Sequence, residues 1–181
     1  MFILYALVIG IAIGLLAGGQ MSGIGEIRFR WAGLAAIGLL VQVVVFAGPV
    51  ADRIGTLGVP LYVGSTVMVL AALLRNVAVP GIWIVALGAL SNMAAIATNG
   101  GYMPAAPGAL ASLGLRDGAD YSNSVVVAHP ALQPLTDIFA MPAGLPFANV
   151  FSIGDVLIGV GIAVVLAMAM IRARPQRPVR S

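Results

Sequence analysis

The chain has 181 residues, of which 61% are hydrophobic and only 8% charged, with a mean hydropathy of +1.08 and a net charge of +3. Soluble domains carry roughly a quarter charged residues, so this composition is that of an integral membrane protein. Cysteine is absent, which excludes disulfides, thiolate metal sites and cysteine nucleophiles.

A membrane span needs about 20 mainly apolar residues, and five windows meet that need, at 2–18, 31–48, 59–74, 81–98 and 153–171. Hydrocarbon offers the backbone no hydrogen-bond partners, so the windows are expected to be helices. The expected fold class is an all-α, polytopic transmembrane helix bundle, with one membrane domain over 1–171 and a basic tail over 172–181.

The first window, MFILYALVIGIAIGLLAGG, lacks the positive start and small-x-small cleavage site of a secretory signal and reads as a retained span. Within it Gly10, Gly14 and Gly18 recur at every fourth position, a spacing that lets helix backbones approach closely in lipid. Gln42 in the second window, and Ser91 and Asn92 in the fourth, are polar side chains inside apolar runs. Such groups hydrogen-bond a neighbouring helix or line a polar route through the bundle.

Orientation follows from Arg, which supplies all nine basic residues. The first, third and fifth connections hold seven of them, and the second and fourth hold two. The positive-inside rule then puts the N-terminus outside and the tail in the cytoplasm, in a bacterial plasma membrane. The expected partners are the lipid bilayer, anionic lipid headgroups at the Arg tail and other membrane subunits, with no nucleic acid.

The long connection, 99–152, is therefore expected on the extracytoplasmic side. It holds the only His and three of the six acids. Its middle, LRDGADYSNS, reads as a solvated turn. The following VVVAHPALQPLTDIFAMPAGLP is apolar but broken by Pro130, Pro134, Pro142 and Pro146, and is expected to be a re-entrant or interfacial segment folding back on the bundle. His129 is a candidate proton carrier or tetrapyrrole ligand. It has no second ligand at a metal-site spacing, so neither a metal nor another cofactor is expected.

The last window opens with Ser152-Ile-Gly-Asp155, the spacing of a capping box in which each side chain satisfies a free amide at the helix start. Further along, Gly159, Ala163 and Ala167 repeat the small-residue interval of the first window. Asp137 lies 18 residues before Asp155. If the intervening segment folds back, the two carboxylates form a candidate catalytic pair in which one holds a proton and the pair activates water. Asn99, Tyr102, His129, Asn149 and Ser152 are the candidate ligand contacts around it.

The run from Phe151 to Gly161 resembles the last box of lipoprotein signal peptidases (signal peptidase II) at Phe151, Asp155, Ile158 and Gly161, with Ser152 and Gly154 in place of that family's Asn and Ala. The resemblance implies a catalytic role for Asp155 with Asp137 as partner, although those enzymes have four spans and their Asn-x-x-Asp-Arg element is missing here. Over most of its length the chain also resembles a bacterial membrane family catalogued as domain of unknown function 5317. Asn99-Gly-Gly-Tyr-Met-Pro104, Leu135-Thr-Asp137 and Phe151-Ser-Ile-Gly-Asp155-Val-Leu-Ile carry that likeness, which implies a helical membrane architecture and no particular substrate.

Three functions are consistent with these residues. The chain is expected to be a binding or accessory subunit of a membrane complex acting through its polar loop. The alternatives are a membrane aspartic hydrolase using Asp137 and Asp155, with Asn99 or Ser152 orienting a substrate carbonyl, and a small transporter or channel whose path is lined by Gln42 and Asn92.

Overall fold

Each apolar window becomes a helix whose ends are set by local chemistry. The computed structural model describes residues 2–45, 50, 53–54, 57–115 and 124–173, which are mostly helical. The helices are α1 (Phe2–Leu16), α2 (Ser22–Gly25), α3 (Ala32–Val45), α4 (Gly58–Arg75), α5 (Ile82–Thr98), α6 (Pro107–Ser112) and α7 (Ile153–Arg172). Of these, α4 and α7, at 18 and 20 residues, are long and apolar enough to cross a membrane, while α1, α3 and α5 are shorter apolar helices. The turn expected around 115–124 falls mostly outside the described residues, as does the tail beyond 173.

The spatial order differs from the chain order. Helix α7 lies between α1 and α5, and α4 joins α5 to α3. Gly159 meets Phe2, Ala163 meets Gly10 and Met170 meets Gly14, so α1 and α7 run parallel. Gly81 faces Gly161 and Gly88 faces Gly154, so α5 and α7 run antiparallel. Both crossings depend on missing side chains. A Cβ on Gly10 would stand 2.7 Å from the Ala163 Cα, and one on Gly88 2.5 Å from the Gly154 carbonyl oxygen. Where lipid surrounds the helices, such close backbone approach supplies the packing that holds them together.

Gly18 does not join this face. It lies past the end of α1 with φ at +75°, and the Gly19 amide closes the turn on the Gly14 carbonyl at 2.9 Å. The chain turns before the third position of the stripe can reach α7, and Gly19 packs on Met170 instead. Ala167 on the opposite helix is buried, completing the α7 side.

The outer faces of α1 and α3 are apolar. Val8, Leu16, Leu40 and Val43 are 67%, 89%, 62% and 69% exposed.

The described residues of the long connection, 99–115 and 124–152, cover one end of the bundle. Met103–Pro104 (β1) pairs in parallel with Ser124–Val125 (β2), and Phe139–Ala140 (β3) pairs antiparallel with Val150–Phe151 (β4). The cap has its own small core, in which α6 brings Ala109 and Leu110 against Ala105 and Val150. Stacked rings tie it to the helices, Phe139 to Phe151 at 5.5 Å and Phe151 to Phe2 at 4.8 Å.

Candidate functional site

The site begins at the start of α7. The Ser152 hydroxyl accepts from the Asp155 amide at 3.0 Å, and the Ser152 amide donates to Asp155 Oδ2 at 3.1 Å, which is the capping box its spacing predicts. Asn92 of α5 completes the arrangement. Its Nδ2 donates to Asp155 Oδ1 at 2.9 Å, and its Oδ1 accepts from the Ser152 hydroxyl at 2.8 Å. One amide thus engages both members of the box and fixes α7 to α5. Gly154 makes room, since any Cβ there would overlap Asn92 Oδ1.

Asp137 reaches the same end of the bundle through backbone pairing. Its amide donates to the Pro104 carbonyl at 3.0 Å, and its carbonyl accepts from the Ala106 amide at 2.9 Å. Asp137 therefore extends the β1–β2 pair on its other side, and its side chain is buried at 7% exposure. Next to it, Leu135 packs on Met103, Ala95 and Ile96 with Tyr62 of α4. Tyr62 lies within the electrostatic reach of both Asp155 and Asp137. Both acids thus lie at the cap end of the bundle, as does Tyr62, a residue that the sequence pattern does not single out.

Asn99 holds the fold-back segment down. Its side chain accepts from the Ala131 amide and donates to the Ala131 carbonyl, both at 2.8 Å, and also donates to the Ala95 carbonyl at 2.7 Å. The following glycines end α5, with Gly101 at φ +91° and its amide on the Ile96 carbonyl at 2.9 Å. A side chain at Gly101 would strike Val59, so the stop also sets α4 against the cap. Asn149 donates to the Val150 carbonyl at 2.7 Å and serves the β3–β4 turn. Tyr102 and His129 are exposed on the cap surface. Among the described residues, no group of three His, Asp or Glu side chains gathers to hold a metal ion.

Below the cap, a cavity of about 440 Å³ runs between the helices. Its walls are apolar except for Gln42, Tyr62, Thr66 and Asn92, so two of the three polar residues expected inside the bundle, Gln42 and Asn92, line one cavity and Ser91 does not. Gln42 Nε2 donates to Thr66 Oγ1 at 3.2 Å. Ser91, on the same turn as Asn92, has a buried hydroxyl without a partner among the described residues.

The elements Asn99–Pro104, Leu135–Asp137 and Phe151–Asp155, distant in sequence, converge at the end of α5. These features define a helical protein, two of whose helices are long and apolar enough to cross a membrane, closed at one end by a hydrogen-bonded cap. The chain belongs to DUF5317, a family of unknown function whose model matches residues 26–167. No curated protein and no solved structure matches it.

Proposed function

We propose that this is a five-helix plasma-membrane protein with its N-terminus and cap on the extracytoplasmic side, serving as a binding or accessory component of a membrane complex through that cap. The alternating helix directions, with α1 and α7 parallel, are consistent with five crossings, and 99–152 then lies as a re-entrant or interfacial lid. Trp31 and Trp83 are 56% and 58% exposed just before α3 and at the start of α5, on the same end of the bundle. Aromatic residues collect in this way at membrane–water interfaces, and the Arg distribution makes that end cytoplasmic.

The observation that carries the non-catalytic reading is the bonding of Asp155. One carboxylate oxygen accepts from Asn92 and the other from the Ser152 amide. An acid committed on both oxygens to joining two helices serves as a fastener, whereas acid–base work needs a group free to exchange protons with a substrate. The exposed Tyr102 and His129 then supply the contact surface. In mild-detergent extracts the wild-type chain should migrate on native gels in a complex larger than itself. Tyr102→Ala with His129→Ala should shift it towards the lone chain while leaving its melting temperature unchanged. A wild-type chain that migrates alone sinks the accessory reading.

A second reading retains Asp137 and Asp155 as a hydrolytic pair, and the placement of both acids at the cap end of the bundle, Asp137 buried there by its backbone pairing, supports it. It requires turnover of lipoprotein-like peptides that disappears in both Asp137→Asn and Asp155→Asn.

A further inference from the structure

At the end of the bundle away from the cap, Asn76 is 96% removed from solvent at the foot of α4. It accepts from the Arg30 amide and donates to the Arg30 carbonyl, both at 2.7 Å, and so clamps the stretch before α3 in place. That clamp sets two consecutive side chains against two different cavities. Phe29 lines the lower part of the 440 Å³ cavity between the helices, and Arg28 lines a second cavity of about 380 Å³ together with Arg172 and Glu26. Val165 of α7 faces both, so the two spaces adjoin.

The combined shape is amphipathic. The inner cavity is walled by Phe29, Leu73, Ile82, Val85 and Ile162, and its polar groups lie towards the cap. From Ile82 to Asn92 the wall rises about 15 Å at 1.5 Å per residue, roughly half of the ~30 Å hydrocarbon core. That is the depth of one leaflet. At the mouth, neither Arg28 nor Arg172 makes an ion pair among the described residues. Arg presents a planar fork that suits a phosphate, and burial of one apolar chain beside it suits the walls above.

We infer that these adjoining cavities form one phospholipid site, with the phosphate at Arg28 and Arg172 and an acyl chain inserted between α3, α4, α5 and α7. Glu26 at the mouth favours a headgroup with one phosphate and a neutral or cationic remainder over one bearing a second anion. The site rests on the five-helix membrane reading. It binds a lipid from the cytoplasmic leaflet, while the cap works on the opposite side.

Native mass spectrometry of the full-length chain, delipidated in mild detergent and titrated separately with phosphatidylglycerol, diacylglycerol of the same chains and inorganic phosphate, tests it. One phosphatidylglycerol should bind per chain, with the other two probes at least about tenfold weaker, because each lacks half of the contacts. Arg28→Gln with Arg172→Gln should weaken that binding about 30-fold, at roughly tenfold per 1.4 kcal/mol and about 1 kcal/mol per Arg. Leu39→Trp, placed at an exposed position on the cavity wall, should weaken it comparably without unfolding the core. Unchanged affinity in the double Arg variant, or equal binding of inorganic phosphate or diacylglycerol, would overturn the site. Extraction by alkaline carbonate separates the two levels of failure. A chain released from membranes refutes the membrane reading itself, and a retained chain whose lipid binding ignores the variants refutes only the site.

Discussion

Asn92 makes two hydrogen bonds across a helix interface, and both partners belong to the same capping box. Replacing it with Leu leaves the Ser152 hydroxyl and one Asp155 oxygen without their partner at a part-buried position, a loss of about 1–3 kcal/mol. Ser152→Ala removes the cap bond and should cost about 1 kcal/mol. The two losses should be less than additive, because each variant already breaks the Asn92–Ser152 bond. Thermal unfolding in detergent of both single variants and the double variant checks this, and strict additivity would show that the three groups do not act as a unit. The capping box was legible in the spacing of Ser152 and Asp155. Asn92 was recognised as polar within an apolar run, but its partners lie about 60 residues away and no local pattern names them. Asn76 escaped notice for the same reason, since an Asn after Arg75 looks like an ordinary helix stop until the Arg30 backbone is seen against it.

At the scale of elements, the α5–α7 contact is made by two pairs of glycines, Gly81, at the N-cap of α5, with Gly161 and Gly88 with Gly154, the two glycines on each side standing seven residues apart in the chain. Gly88→Ala must push α5 away from the Gly154 carbonyl and should cost about 1–3 kcal/mol, as overpacking does. Gly64→Ala, with nothing within 4 Å of the added carbon, should instead be stabilising by roughly 0.5–1 kcal/mol, because a helical glycine carries extra backbone entropy. Melting temperatures that move in the same direction for both would contradict the packing account. Helix positions were readable because continuous apolar runs leave the backbone few other options, and the five windows and the five long helices agree to within a few residues at most ends. Gly18 marks where that reading stopped working. Its fourfold spacing continued past the point at which the chain had already turned.

For the whole molecule, topology is open to direct measurement because the chain has no cysteine of its own. Gly144→Cys, in the exposed part of the cap, should react with a membrane-impermeant maleimide on intact cells. Ser181→Cys in the tail should react only after permeabilisation. Labelling of both in intact cells, or of the tail alone, would rule out the proposed orientation. The convergence of Asn99, Asp137 and Asp155 was expected from the sequence only as a fold-back of unknown geometry. The parallel pairing of 103–105 with 124–125 and 137 decides it, and those contacts join short segments whose composition resembles any loop.

The parallel packing of α1 on α7 has a further consequence, during synthesis. The glycine face of the first helix has its partner in the last, made roughly 150 residues later, and at about 5–20 residues per second the wait is on the order of 10–30 s. On the proposed five-span reading, the first helix waits in the bilayer through that interval with its close-packing surface uncovered. Completion of the final helix is then the event that locks the bundle, and a chain cut short before residue 153 leaves both α1 and α5 without the partner their glycines fit.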